Sequence, residues 1–343
     1  MAQAGFGKFS DISGQDAITA HLRNALSTGT LSHAYLISGE DVSDTMEIAN
    51  ALASVLVCED RQEGYEPCGK CTGCVQAAAG DHPDIRVLVP QKTTSTGVDD
   101  IRALTADLQL VPYRASFRIF IIPDAEKLTP QAQNAVLKTL EEPPEYAVLL
   151  LLCRNTTGFL PTLLSRCVCL QLKPVPDEEI GKKIAAAAGA MPAYPELLYA
   201  CAAGSCGKAL RLITEEDFDG YAGAALELLM GLKEKDAGEI VRFCQDTAEN
   251  GRAELFLFIM HAFIRDLLVQ KAAGSGTNLI LTGNIQYISK TAGELSFAVL
   301  GRMEKTAVTA QRRLMQKGSP QLILEAALLT LREEMNGEIY DRQ

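Results

Sequence analysis

The 343-residue sequence has no excess of positive charge: 32 Lys and Arg stand against 43 Asp and Glu, a formal net charge of −11. A free-standing nucleic-acid binder usually carries a basic excess or a basic tail, so this balance argues against one, while leaving room for a small basic patch or a place in a larger assembly. Long hydrophobic runs are also missing. The longest uninterrupted apolar stretch, Ala147 to Cys153, is far too short to cross a bilayer, and Met1 to Ser10 holds no apolar run of signal-peptide length. Cysteine is sparse, ten residues or about 3%, well below the density of a secreted disulfide scaffold. A cytoplasmic protein with reduced thiols and no membrane association is expected. There is no internal repeat, and with 47% apolar and 22% charged residues the chain is neither disordered nor of low complexity. Its length suggests two or three domains, each able to bury a core.

The first half alternates short β-rich apolar runs with helical patterns, the signature of parallel βα units. Strands are expected at Ala34–Ser38, Ile85–Val89, Arg118–Ile122, Val148–Leu152 and Val168–Leu172, with helices on both faces of the resulting doubly wound sheet. One helix has well-defined ends: Thr129 can cap it, Pro130 suits its first turn and Pro143-Pro144 forbids its continuation, which places it at Pro130–Glu141. Lys173-Pro174-Val175-Pro176 reads as a linker, after which the chain is α-helical. The acidic cluster Glu215-Glu216-Asp217 divides this helical part into a small bundle and a set of longer helices. Among the latter, Leu255–Val269 is apolar on every face and so is expected to be buried. A flexible loop is expected over Ala272–Asn278.

Four of the ten cysteines are arranged as Cys58-x9-Cys68-x2-Cys71-x2-Cys74. Zn²⁺ favours four soft ligands at tetrahedral corners, and the two Cys-x2-Cys steps around Gly69 and Gly73 let a short loop supply three of them, with Cys58 as the fourth. His82 is a reserve ligand, although His-Pro-Asp also suits a turn into the next strand. Unpaired cysteines or a redox pair are the alternatives, but a redox pair would not need four thiols. With four protein ligands and no open position, the site would be structural. Cys153, Cys167, Cys169, Cys201, Cys206 and Cys244 fall in apolar segments and read as small core residues.

The turn after the first strand is where an α/β nucleotide-binding protein carries its phosphate loop, G-x-x-x-x-G-K-[ST]. Here Gly39 is retained, but Asp44 replaces the second glycine, Thr45 the lysine and Met46 the Mg²⁺-holding hydroxyl. Glu40, Asp41 and Asp44 place carboxylates where a triphosphate needs backbone N–H groups and a cation, and Asp44 and Glu47 have capping-box spacing. An ordinary strand-to-helix turn would show the same lack of nucleotide affinity. Where the Mg²⁺-binding aspartate should follow Ile119–Ile122 stands Pro123, so both halves of a phosphoryl-transfer site fail together and neither productive ATP binding nor hydrolysis is expected. Arg166, in Ser165-Arg166-Cys167 before the last strand, could neutralise charge on a γ-phosphate bound by a neighbouring subunit; a surface arginine in a local salt bridge is the plainer alternative.

With these residues in view, the sequence resembles the bacterial DNA polymerase III clamp-loader family, and within it the delta-prime type of subunit. Ile12-Ser13-Gly14-Gln15 and His33-Ala34-Tyr35-Leu36 resemble its opening segment, and the four-cysteine module sits in its usual place. Ala132 through Pro144 (AQNAVLKTLEEPP) is the most specific match, and Ser165-Arg166-Cys167 is similar to the arginine-finger motif. Gly204-Ser205 with Ala209-Leu210 resembles a lid segment, and Ser319 through Leu329 the last helix of the oligomerising collar. The departures are Gly207, where ATPase subunits place a nucleotide-sensing arginine beside Lys208, and Arg154-Asn155-Thr156, which only loosely matches a water-orienting sensor.

The resemblance implies a RecA-like AAA+ domain over residues 1–173, with a zinc module at about 58–80, a helical lid over 174–214 and a helical collar over 215–343. It implies a non-hydrolysing subunit that offers Arg166 in trans to the ATP site of an adjacent gamma/tau subunit. It would stand in a pentamer with a delta subunit, bracing the assembly while the sliding clamp is loaded on primer-template DNA. The competing expectations are an ATP-hydrolysing clamp-loader subunit with a divergent phosphate loop and a zinc-containing nucleic-acid-binding protein.

Overall fold

The computed structural model describes residues 5–90, 92, 94–274 and 278–337, and among these the chain divides into two compact units. The first runs to Lys183 and takes in Ala203–Lys208; the second comprises Ile184–Ala202 and the described residues from Ala209 onward.

The first unit is built on strands β1 (Ala34–Ser38), β2 (Ile85–Val87), β3 (Arg118–Ile122), β4 (Ala147–Cys153) and β5 (Val168–Gln171), all parallel and in the order β2-β3-β4-β1-β5. Helices α1 (Asp16–Thr28) and α2 (Val42–Val57) flank β1, and α3 (Thr72–Ala79) precedes β2. Next come α4 (Val98–Leu108), α5 (Pro130–Glu141) and the short α6 (Pro161–Leu164). Parallel strands covered on both faces should be apolar throughout rather than alternating, and β1, β3 and β4 are buried at every position. Within β1, Tyr35 and Ile37 join a core with Ile18 and Leu22 of α1 and Ile48 and Leu52 of α2. Ala34 and Leu36 point the other way, into a second core with Ile101 of α4 and Val136 and Leu140 of α5. The period of two along each strand thus assigns one helical layer to each face.

The β5 edge departs from expectation. Only Leu170 is buried there, and Cys169 is exposed, because an edge strand is half covered; Cys169 is therefore not a core residue, and Cys167 is only partly covered. Cys153, Cys201, Cys206 and Cys244 are buried as expected. The predicted helix at Pro130–Glu141 forms with those bounds, with the Thr129 hydroxyl accepting from the Ala132 N–H at 3.2 Å.

Helices α7 (Asp177–Ala188), α8 (Pro195–Ala202) and α9 (Cys206–Thr214) follow, then α10 (Phe218–Met230), α11 (Ala237–Glu249), α12 (Ala253–Ala273), α13 (Ile285–Glu294), α14 (Phe297–Met315) and α15 (Pro320–Asn336). In the second unit α12 is the central element, packed against α10, α13, α14 and α15. Phe256, Ile259, Met260, Phe263 and Ile264 are buried, whereas Leu255 and Phe258 are partly covered. Within the loop expected at Ala272–Asn278, Ala272 and Ala273 complete α12, Gly274 ends it at φ 73°, and residues 275–277 lie outside the described residues. No described helix is long and apolar enough to cross a membrane.

Candidate functional sites: a thiol cluster, a closed phosphate loop and a surface arginine

Cys58 lies at the C-terminal end of α2, Cys68 in the following loop, and Cys71 and Cys74 at the start of α3. All four Sγ atoms fall within 4.8 Å of one another, with Cys68–Cys74 and Cys58–Cys71 separations of 4.0 Å. A tetrahedron with metal–sulfur bonds of about 2.3 Å has sulfur–sulfur edges of about 3.8 Å, so the cluster fits a Zn²⁺-sized cation. Backbone N–H groups of Cys68, Cys71 and Cys74 donate to the sulfurs of Cys58, Cys68 and Cys71 at 3.3–3.4 Å, the environment a thiolate needs. The Lys70 N–H is the main cause that holds the Cys68 thiol down at about 7, while burial pushes Cys58 and Cys74 up. Four thiolates this close need a cation to ionise together.

Gly73 permits the approach, since a Cβ there would overlap the Val57 carbonyl at the end of α2. Arg61 closes the same helix end by donating to the carbonyls of Val55 and Leu56. His82 stands outside the cluster, buried, its Nδ1 accepting from the Asp84 N–H at 3.1 Å in the turn into β2.

The turn after β1 is occupied by its own side chains. The expected capping box at Asp44 and Glu47 is not the one that forms. The helix begins three residues earlier, and Asp41 is the N-cap, accepting from the Ser43 N–H at 2.9 Å. Thr45, in the lysine position of a phosphate loop, returns its hydroxyl to the Val42 carbonyl, and Met46 packs in the core. Freed from capping, Asp44 accepts from the Gly207 N–H in the first turn of α9 at 2.7 Å and from the Ser205 hydroxyl. Burial raises its carboxyl above the usual range, and these donors oppose the shift. Lys183 reaches both carboxylate oxygens of Glu47, at 2.9 and 3.2 Å. A Cβ at Gly207 would overlap Ser43, so no larger residue fits without moving the turn. The remaining cavity is about 170 Å³ and is lined by Gly39, Glu40, Asp44 and Glu47 together with Arg154 and Lys183. Two strands along the sheet from β1, Pro123 follows β3, and Asp124, at φ 49°, is paired with Lys127 at 2.9 Å.

Arg166 lies between α6 and β5. Its guanidinium donates to the Thr162 carbonyl at 3.0 Å and pairs with Glu141 at the end of α5 at 2.8 Å.

Two buried polar residues fix turns of the first unit: Gln133 lies within the AQNAVLKTLEEPP segment, whereas no motif marks Asp84. Gln133, buried within α5, donates to the carbonyls of Leu128 and Gly158 and accepts from the Leu160 N–H at 2.8 Å. Asp84, fully buried, accepts from the N–H groups of Tyr113, Arg114 and Ala115 at 2.6–2.8 Å. For Asp84 the only signal in the sequence is a lone carboxylate beside an apolar strand.

Residues 14–176 match the family described as "DNA polymerase III, delta subunit". A DNA polymerase III subunit delta' from Yersinia pestis is 41% identical over 142 residues, which cover 41% of this chain and 42% of that protein. Over this stretch, just under half of its length, the chain is similar to subunits of the DNA polymerase III clamp-loader family. Further DNA polymerase III subunits are similar as well: the subunit tau of Escherichia coli is 36% identical over 172 residues, half of this chain and 26% of that protein. The subunit tau of Bacillus subtilis is 27% identical over 292 residues, 51% of its length, so the chain spans a quarter to a half of such relatives. Among solved structures, a gamma subunit-related protein of Thermotoga maritima aligns with a TM-score of 0.47 at 20% identity, covering 92% of this chain and 99% of that one.

Proposed function

We propose that this chain is a clamp-loader subunit of the delta-prime type, the partner that does not hydrolyse ATP itself but completes the ATP site of a neighbouring gamma/tau subunit with Arg166. Tau, gamma and delta-prime proteins all stand among its relatives, so similarity alone does not choose between them. The observation that carries the choice is the Asp44 carboxylate, which takes the Gly207 N–H at 2.7 Å inside the turn where a phosphate would have to lie. A negative group fixed there repels a second one, and neither Thr45 nor Pro123 can supply the cation or the metal ligand that phosphoryl transfer requires.

In this reading the four cysteines hold one structural Zn²⁺, and the chain divides into an AAA+ domain, a lid and a collar at about 173 and 214. The subunit works in the cytoplasm, within a complex that contains gamma/tau and delta subunits. It reaches the sliding clamp and primer-template DNA through that complex. The test is reconstitution with gamma/tau and delta. Arg166→Ala is expected to assemble normally and to lower DNA- and clamp-stimulated ATP turnover at least tenfold, in keeping with the several kcal/mol an arginine finger supplies. Full turnover in an assembled Arg166→Ala complex would remove the role.

A further inference from the structure

We propose that Glu141 is a positioning residue for Arg166: the α5 carboxylate holds the guanidinium in the pose from which it meets a phosphate on the neighbouring subunit. This rests on the trans-acting role of Arg166 proposed above. An exposed ion pair adds little to stability, typically about 0–1 kcal/mol, because two long side chains lose freedom for a weak attraction in water. At 35% and 52% side-chain exposure the Arg166–Glu141 pair is of that kind, so its value lies in geometry rather than in fold stability.

The geometry is well supported. Gln133 joins α5 to the turn that leads into α6 through two hydrogen bonds, to Gly158 and Leu160, and with a third holds Leu128 at the start of its own helix, so the helix carrying Glu141 and the segment carrying Arg166 are fastened together from inside the core. Pro143 and Pro144 stop α5 just after Glu141 and fix where its carboxylate emerges. Arg166 then uses one N–H on the Thr162 carbonyl and one on Glu141. A guanidinium carries five N–H groups, so the three left over suffice for a two-pronged contact with a phosphate while the carboxylate stays bound. Holding a long side chain ready removes rotamer freedom that would otherwise be lost at the moment of reaction.

The experiment is a double-mutant cycle in the reconstituted complex, following stimulated ATP turnover. Glu141→Gln is expected to lower kcat three- to tenfold with KM for ATP unchanged, Glu141→Asp to recover part of the loss, and the thermal midpoint of the isolated chain to stay within about 1 °C. In the Arg166→Ala background, Glu141→Gln should have no further effect. A loss of equal size in that background, or undiminished kcat in Glu141→Gln when Arg166→Ala is impaired, overturns the positioning role alone. Undiminished turnover in Arg166→Ala overturns the trans-acting role and this inference with it.

Discussion

Asp84 illustrates how a single buried carboxylate can organise a loop. Burial by itself would raise its pKa, but the N–H groups of Ala115, Tyr113 and Arg114 together outweigh that cost and hold it below the usual carboxylate range. Its folded-state pKa is therefore lower than its unfolded one, so its contribution to stability is present above about pH 4 and disappears as the pH falls through the folded value. Asp84→Asn leaves one carbonyl oxygen for three donors and is expected to cost about 2 kcal/mol at pH 7. In urea unfolding that gap should narrow steadily below pH 4. A gap that persists at pH 2.5 would show that the carboxylate charge is not what the loop needs. Nothing in the run His82-Pro83-Asp84 identifies this role, because the three donors lie about 30 residues further on.

At the scale of elements, the cysteine module is held by more than its sulfurs. Glu66 accepts from the Phe9 N–H and pairs with Arg23 of α1, while Arg61 closes the end of α2. Elemental analysis is expected to give about one Zn²⁺ per chain, and a strong chelator should raise amide exchange across residues 58–80 while leaving β1, β3 and β4 protected. Gly73→Ala should do the same without a chelator, since the added methyl meets the Val57 carbonyl. Unchanged exchange after the metal is stripped would mean that the loop folds without it.

Strands β1, β3 and β4 were readable in the sequence because burial on both faces makes each a continuous apolar run, and α5 because its cap and its two stop prolines are local. The cysteine cluster was readable for a similar reason, since its ligands are close in sequence. The start of α2 was not, since three acidic residues compete for one cap and the contact with Gly207 that settles Asp44 comes from 163 positions away. Exposure at Cys169 was hidden for another reason: which strand forms a sheet edge follows from strand order, which hydropathy does not encode.

For the molecule as a whole, the question is whether nucleotide influences it at all. A ligand present at 100 times its Kd stabilises the form that binds it by about 2.7 kcal/mol, several degrees in a melting curve for a chain of this size. Millimolar MgATP is expected to leave the melting temperature of the isolated chain unchanged to within about 1 °C. A shift of several degrees, with Mg²⁺-dependent turnover, would point instead to an ATP-hydrolysing subunit with a divergent loop.

The Asp44 contact with Gly207 carries a broader meaning. An anion that is part of the polypeptide cannot be diluted, hydrolysed or exchanged, so its occupancy of that turn does not depend on the energy charge of the cell. Subunits that bind ATP in this place register every turnover as a change of ligand. In the role proposed above, the same corner stays filled from translation to degradation, a fixed reference against which ATP-driven neighbours can move.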